Sequence, residues 1–408
     1  MIGIKESTKP SGKARLVVVG IGGAGNNVVD RMIEDGVTGV EFVAMNTDLQ
    51  DLELSLASTK VPLGEKETQG LGAGADPEVG RRAAEESIDD IREHIKDAHM
   101  LFIVCGMGGG TGTGAAPVVA REAYDMGILT VGVMTTPFQL ERAVRRENAE
   151  MGIAEIRDSL DTMLIIPNDK LFNLASKSTP IKEMFKLADE IVKQAVRGIT
   201  DIINEDGLLN LDFADIKKAM KGKGPALIGI GEAEGEGRAE AAVKAAVESK
   251  LLDSKINSAQ AVIVNVVGNV TMGDVEEIQG YLGDIIGDRV EFFLGMRPDE
   301  SYGEKISVTI IATGIKDAYV PSGFVPRPVP VSNKFGTANI PSPDSVDYSA
   351  GPAKGTTPSP SAPAPMRTVA PNANPLPSPG APVKSTVTEI RMEVPDFLKK
   401  KHTDDGDK

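Results

Sequence analysis

The stretch Gly108-Gly-Gly-Thr-Gly-Thr-Gly114 constrains this chain more than any other. An apolar run, Met100-Leu-Phe-Ile-Val104, leads towards it, and a helical stretch beginning near Ala115 and Pro117 follows. A plain turn between a strand and a helix needs one or two glycines; this one has five, with two threonines. Glycine lets the backbone approach a ligand with no Cβ in the way. A helix N-terminus adds unpaired N–H groups and the positive end of a dipole, and threonine hydroxyls add further hydrogen bonds. The pattern predicts a loop that wraps a run of phosphates.

A similar unit stands near the start. Arg15-Leu-Val-Val-Val19 is a continuous apolar run, as expected of a strand buried on both faces. It meets Gly20-Ile-Gly-Gly-Ala-Gly-Asn-Asn27, and a helix through Val28, Val29, Met32 and Ile33 ends near Gly36. Taken alone, Gly20, Gly22 and Gly25 match the dinucleotide fingerprint, and Asp48 stands about twenty residues on, where a ribose-binding carboxylate is expected. An NAD-dependent dehydrogenase is therefore one alternative. The second glycine loop counts against it, because a dinucleotide fold does not need one.

Between and beyond these loops the strand–helix alternation continues. Gly70 to Pro77 is a third flexible loop, and a polar helix follows from about Pro77 to His94. Further buried strands are expected at Ile128–Met134 and Met163–Ile166, the latter ending at Pro167-Asn168-Asp169. Glu141 and Arg145 are four apart on what reads as a single helix face. The fold class is α/β, with a doubly wound parallel sheet. Ligands bind at the carboxyl ends of such strands, where all these loops lie.

Ser178-Thr179-Pro180 opens a long helix whose apolar stripe runs from Ile181 to Ile203, with Gly207 as its stop. So wide a stripe suits a central spine between two domains. Asp212 and Asp215 bracket the start of a short helix, where they suit both capping and chemistry. From Gly224 four strands and two helices make a second, α+β domain. Sixteen of the 26 prolines then fall between Pro321 and Pro382, the composition of a disordered linker. Apolar residues return at Ile390, Met392, Val394, Phe397 and Leu398, which suggests a short partner-binding peptide. The expected organisation is a flexible terminus (1–13), a nucleotide domain (14–178), the central helix (179–206), a loop with a short helix (207–223), the α+β domain (224–318), the linker (319–386) and the peptide with its tail (387–408).

Composition narrows the partners. A net charge of −15 argues against nucleic acid. One cysteine, Cys105, rules out a disulfide framework within the chain, and three scattered histidines make no metal site. No run approaches the roughly 18 apolar residues of a membrane span, so a cytoplasmic protein is expected. Aromatic residues are only 4%, which requires an aliphatic core.

Together the motifs resemble the FtsZ family, the bacterial relatives of tubulin that build the cell-division ring. Gly108–Gly114 looks like the tubulin signature, and Gly207-Leu-Leu-Asn-Leu-Asp-Phe-Ala-Asp215 looks like the family's synergy loop. Gly20–Asn26 and Pro167–Asp169 complete the set, and the resemblance spans residues 15–315 and returns at the C-terminal end.

The resemblance implies that Gly22, Gly23, Ala24, Gly25 and Asn26 meet the nucleotide phosphates. Gly108, Gly109, Gly110, Thr111, Gly112 and Thr113 would cradle the β- and γ-phosphates, and Gly72, Ala73, Gly74 and Asp76 would sense the γ-phosphate. Glu141 would hold the ribose, with Arg145 near sugar and phosphates. Asn168 and Asp189 would read guanine while Phe185 stacks on it. Asn210, Asp212 and Asp215 would act in trans on the GTP of the next subunit. GTP or GDP with Mg²⁺ is implied, with K⁺ a further candidate and no side-chain metal cluster of the protein's own. The implied partners are other copies of the chain, in head-to-tail filaments forming a ring at midcell. Membrane-anchor and regulatory division proteins would bind Val394, Pro395, Phe397, Leu398, Lys399 and Lys400, with no insertion of this chain into the membrane. Asp76 stands where the family more often has Asn, and Arg142-Ala-Val144 departs from the usual small and basic residues. A non-catalytic nucleotide-binding scaffold is the remaining alternative.

Overall fold

The computed structural model describes residues 14–171, 179–203, 211–249, 251–252, 256–286 and 290–315. Asn210, the proline-rich stretch and the C-terminal peptide lie outside them. The strands are β1 (Leu16–Ile21), β2 (Glu41–Asn46), β3 (Thr59–Pro62), β4 (Met100–Gly106), β5 (Leu129–Thr136), β6 (Thr162–Pro167), β7 (Gly224–Glu234), β8 (Ala261–Gly268), β9 (Glu291–Arg297) and β10 (Lys305–Thr313). They form one sheet in the order β3-β2-β1-β4-β5-β6-β7-β10-β8-β9. From β3 to β7 all neighbours are parallel; β10 is antiparallel to both β7 and β8. The α+β part thus continues the same sheet, through a short parallel pairing of Thr162–Leu164 with Gly224–Ala226.

The apolar strands are buried on both faces, as their sequences predict. Along β1, Leu16 and Val18 face one core with the helix Gly22–Glu34 and the long helix Ile181–Ile203. Val17, Val19 and Ile21 face another, with the helices Pro77–Glu86, Thr111–Asp125 and Ala143–Ile156. Each such aliphatic side chain contributes roughly 1.5–3 kcal/mol by leaving water. The long helix has 23 residues and touches β5, β6, β8, β9 and β10. It is the spine its stripe predicts, and what stays open is its polar edge and most of its first two turns, Phe185 included.

The sequence reading needs four corrections. The helix after the glycine loop starts at Thr111, not near Ala115. Its glycines are part of the helix because a neighbour packs onto them: a Cβ on Gly114 would lie 1.9 Å from the carbonyl oxygen of Pro77. The polar helix breaks at Ser87 into Pro77–Glu86 and Ile88–Ile95, and the Ser87 hydroxyl accepts from the Gly64 N–H at 2.9 Å. Glu141 and Arg145 do not share a helix; Glu141 closes the 3₁₀ turn Gln139–Glu141, and Arg145 belongs to Ala143–Ile156. Finally, β3 and the short helices Leu49–Leu54 and Glu65–Thr68 carry no sequence periodicity long enough to read.

Candidate functional site

The sheet order reverses at β1, whose neighbours β2 and β4 lead away in opposite directions. A crevice opens at the carboxyl ends of strands at such a point. Both glycine loops leave from it. Gly22, Gly23 and Ala24 after β1 and Gly109, Gly110, Thr111 and Gly112 after β4 line one cavity. Two helices, Gly22–Glu34 and Thr111–Asp125, begin there. Neither has a side-chain cap, and neither has an acidic residue in its first turn. Elsewhere Asp48, Asp76 and Thr271 cap helices in the ordinary way. Two uncapped N-termini converging on one cavity leave their N–H groups and dipoles for an anion.

Two buried amides have no partner among the described residues. Asn26 is 2% exposed, and neither its Oδ1 nor its Nδ2 is hydrogen-bonded; Asn168 Oδ1 is likewise buried and unbonded. Buried polar atoms are rarely left so; Asn168 lines the cavity, where a nucleotide would satisfy it, while Asn26 lies behind the lining, on the helix that begins there.

The opposite wall comes from β6 and the long helix. Asn168, Phe185 and Asp189 all line the cavity. Phe185 is 41% exposed, and its ring meets that of Phe138 edge-on at 5.2 Å, which leaves a face for a flat ligand. Glu141 and Arg145 line it too, paired at 2.7 Å, and the other Glu141 oxygen accepts from the Phe138 N–H at 3.0 Å. Arg142 between them is held at φ 79, so their convergence is imposed by the fold rather than by helical spacing.

The remaining expected site residues play supporting parts. Gly25 lies against β4, where a Cβ would come 2.3 Å from the Val104 carbonyl oxygen. The Thr113 hydroxyl accepts from the Gly108 N–H at 2.8 Å and closes the loop on itself. Gly72 donates to the Thr47 carbonyl, Ala73 is buried, and Ala73 and Asp76 pack against Gly110. Gly74 holds a left-handed φ of 58 beside them, and Asp76 caps the helix Pro77–Glu86. Asp48 caps Leu49–Leu54, so it does not serve the cavity as a dinucleotide-binding carboxylate would. Ile21, Gly106, Met107, Thr135, Thr136, Pro137 and Ala188 line the cavity without having been expected. All but Ala188, which lies on the long helix one position before Asp189, share a position at a strand's carboxyl end, which the alternation already marked.

Asp212 and Asp215 stand elsewhere. The ring of Phe213 packs against His99, which precedes β4, at 6.0 Å. Gly222 donates to Asp161, just before β6. The helix Phe213–Met220 therefore sits at the amino ends of the strands. The seven residues of β4 separate it from the cavity, about 20 Å. Asp212 is exposed, and its side chain makes no cap bond, so the capping role expected of it is absent.

Residues 15–176 match the GTPase domain of the tubulin/FtsZ family, and 224–316 match the C-terminal domain of the FtsZ family. A dimer structure of FtsZ from M. jannaschii shares 42% identity, covering 74% of this chain and 89% of that one, with a TM-score of 0.72. The chain belongs to the FtsZ family. CetZ2 and CetZ1 of Haloferax volcanii share the fold at 21% and 23% identity, with TM-scores of 0.62 and 0.64 over 74% of this chain. This FtsZ-family protein is thus a GTPase of the tubulin type, and GTP and GDP are the ligands its GTPase domain implies.

Burial pushes the Asp189 carboxyl up from 3.8 to about 6, against the pull of Arg31 and with Glu190 adding to the rise. The fold therefore disfavours the ionised form. That penalty is absent below the unfolded value near 4, grows between the two values, and is complete above about 6. Asp189→Asn should accordingly raise the stability of nucleotide-free protein at pH 8 by about 1–2 kcal/mol, allowing for the water that still reaches the group. It should change little at pH 4. Denaturant melts at the two pH values measure this; a loss of stability at pH 8 would contradict it.

Proposed function

We propose that the cavity binds GTP in the order the family suggests, phosphates on the two glycine loops and guanine between Asn168, Asp189 and Phe185. Asp212 and Asp215, with Asn210, then complete the hydrolytic site of the next subunit. The observation that carries this reading is the separation of about 20 Å between the acidic loop and the chain's own cavity. No side chain spans that distance, so a second copy must bring the carboxylates to the phosphate. A contact that joins the top of one copy to the bottom of the next is heterologous and builds an open filament. Phosphoryl transfer needs positioning and charge stabilisation more than covalent help. Two carboxylates and an amide can orient the attacking water, while Mg²⁺ enters with the nucleotide, held mainly by its phosphates.

The wider role follows as part of the same proposal: filaments that assemble into a division ring beneath the membrane at midcell. Anchor and regulatory proteins would take the C-terminal peptide around Val394–Lys400. The FtsZ of M. jannaschii forms a dimer and CetZ2 a protofilament bound to GTPγS, and both support self-association here.

GTP turnover per subunit, measured against protein concentration with light scattering in Mg²⁺ and K⁺, tests the shared site. Turnover near zero at low concentration should rise together with scattering above a threshold. Turnover per subunit that is flat with concentration would show a complete site in each chain and end the role in trans.

A further inference from the structure

The helix that starts at the phosphate loop and the helix that carries the base-facing carboxylate are joined by two ion pairs. Arg31 Nε lies 3.2 Å from Asp189 Oδ2. One turn further along both helices, Asp35 meets Lys193, which also pairs with Glu190 at 2.7 Å. Lys193 is a buried lysine, 7% exposed. The two pairs have opposite polarity. Sliding either helix by one turn would set Arg31 against Lys193 or Asp35 against Asp189, like against like. The register between phosphate cradle and base pocket is therefore specified by charge as well as by packing.

We propose that Arg31 is a positioning residue for base choice: its guanidinium fixes the direction and the charge of the Asp189 carboxylate that lines the base end of the cavity. This rests on the reading of Asp189 as the group that meets guanine. Guanine presents two donors side by side, its ring N1–H and its 2-amino group. An ionised carboxylate accepts both, whereas a protonated one sets a donor against a donor. One Asp189 oxygen is held by Arg31, so the group cannot turn freely. Burial alone works towards protonation, and Arg31 is the cation that opposes it, with Glu190 acting the other way. The other charged groups on the surrounding elements are Asp30 and Glu34 on the first helix and Asp35 just past its end, Lys182, Glu183, Lys186, Lys193, Arg197 and Asp201 on the long helix, Asp169 and Lys170 after β6, and the Glu141–Arg145 pair across the cavity. Lys193 and Arg145 are already engaged with carboxylates.

The test compares equilibrium binding of GDP and inosine diphosphate, which lacks the 2-amino group, to the full chain as pH is varied through 6 and above. The quantity read is the ratio of the two affinities, in which titration of the phosphates cancels. For the unaltered protein the preference for GDP should fall as pH drops through about 6. Arg31→Gln should move that midpoint up by about one unit, so that the preference at the original midpoint falls by up to about fivefold. Arg31→Lys should restore most of it, and Asp189→Ala should bring the ratio close to one at every pH. If Asp189→Ala collapses the ratio while Arg31→Gln leaves ratio and midpoint unchanged, or weakens both nucleotides equally, Arg31 has no part in base choice and the base reading stands. A ratio untouched by Asp189→Ala would remove both.

Discussion

Replacing Asp212 by alanine should lower GTP turnover by about 10²–10⁴-fold, the span a positioned acid–base group contributes, while nucleotide binding and filament formation persist. The separation of binding from hydrolysis follows from where the residue sits. Asp212 is exposed and caps nothing, so its removal should cost no more than about 0.5 kcal/mol of stability. It lies at the amino ends of the strands, away from the chain's own cavity, so GTP affinity should be unchanged. A mixture sharpens the test. Asp189→Ala keeps the acidic loop but has an impaired pocket; Asp212→Ala has the reverse. Each alone should turn over slowly, and co-assembly should recover activity at the junctions where an intact pocket meets an intact loop. Mixtures no more active than the sum of their parts would mean that each chain uses its own loop.

Gly109→Ala should weaken GTP binding by about 10–100-fold, the equivalent of the 1–3 kcal/mol that an added methyl costs in a filled site, and leave the fold intact. Gly109 lines the cavity, yet an added Cβ would meet no protein atom within 4 Å, and its φ is not in the left-handed region. The protein by itself has no steric need for glycine here; the space the methyl would take is the ligand's. Nucleotide-free protein should even gain about 0.4–1 kcal/mol from the stiffer unfolded chain. Gly114→Ala is the contrast. Its Cβ would collide with the Pro77 carbonyl at 1.9 Å, so it should destabilise the fold with or without nucleotide. Thermal melts with and without GDP separate the cases, because a ligand that binds only the native state raises its stability. Unchanged GTP affinity in Gly109→Ala would show that the loop does not approach the phosphates.

The strands other than β3, the parallel order of the nucleotide half and the place of both glycine loops were legible in the sequence. So was the long helix, through an apolar stripe that one side of a 23-residue helix buries. These features rest on local periodicity and on the rule that apolar runs bounded by glycines become buried strands, neither of which needs a distant contact to be decided. The same is true of Asn168, Phe185 and Asp189 as residues: their motifs were visible, though nothing in their spacing showed that they would share a cavity with Gly22 and Gly110.

What the tertiary structure decided is everything that depends on two distant segments meeting. The Glu141–Arg145 pair looked helical and is instead held by a turn at Arg142 with positive φ. The helix start at Thr111 was set by the approach of Pro77, which only small residues permit. Asp212 looked like a cap and is an exposed carboxylate at the far end of the sheet. Arg31, an ordinary basic residue in a helix's last turn, became a partner of Asp189 158 residues away. The physical reason is common to all four. Propensity and periodicity are settled within a few residues, whereas charge pairing, close backbone packing and the distance from carboxylate to cavity are settled by the sheet order that brings the segments together.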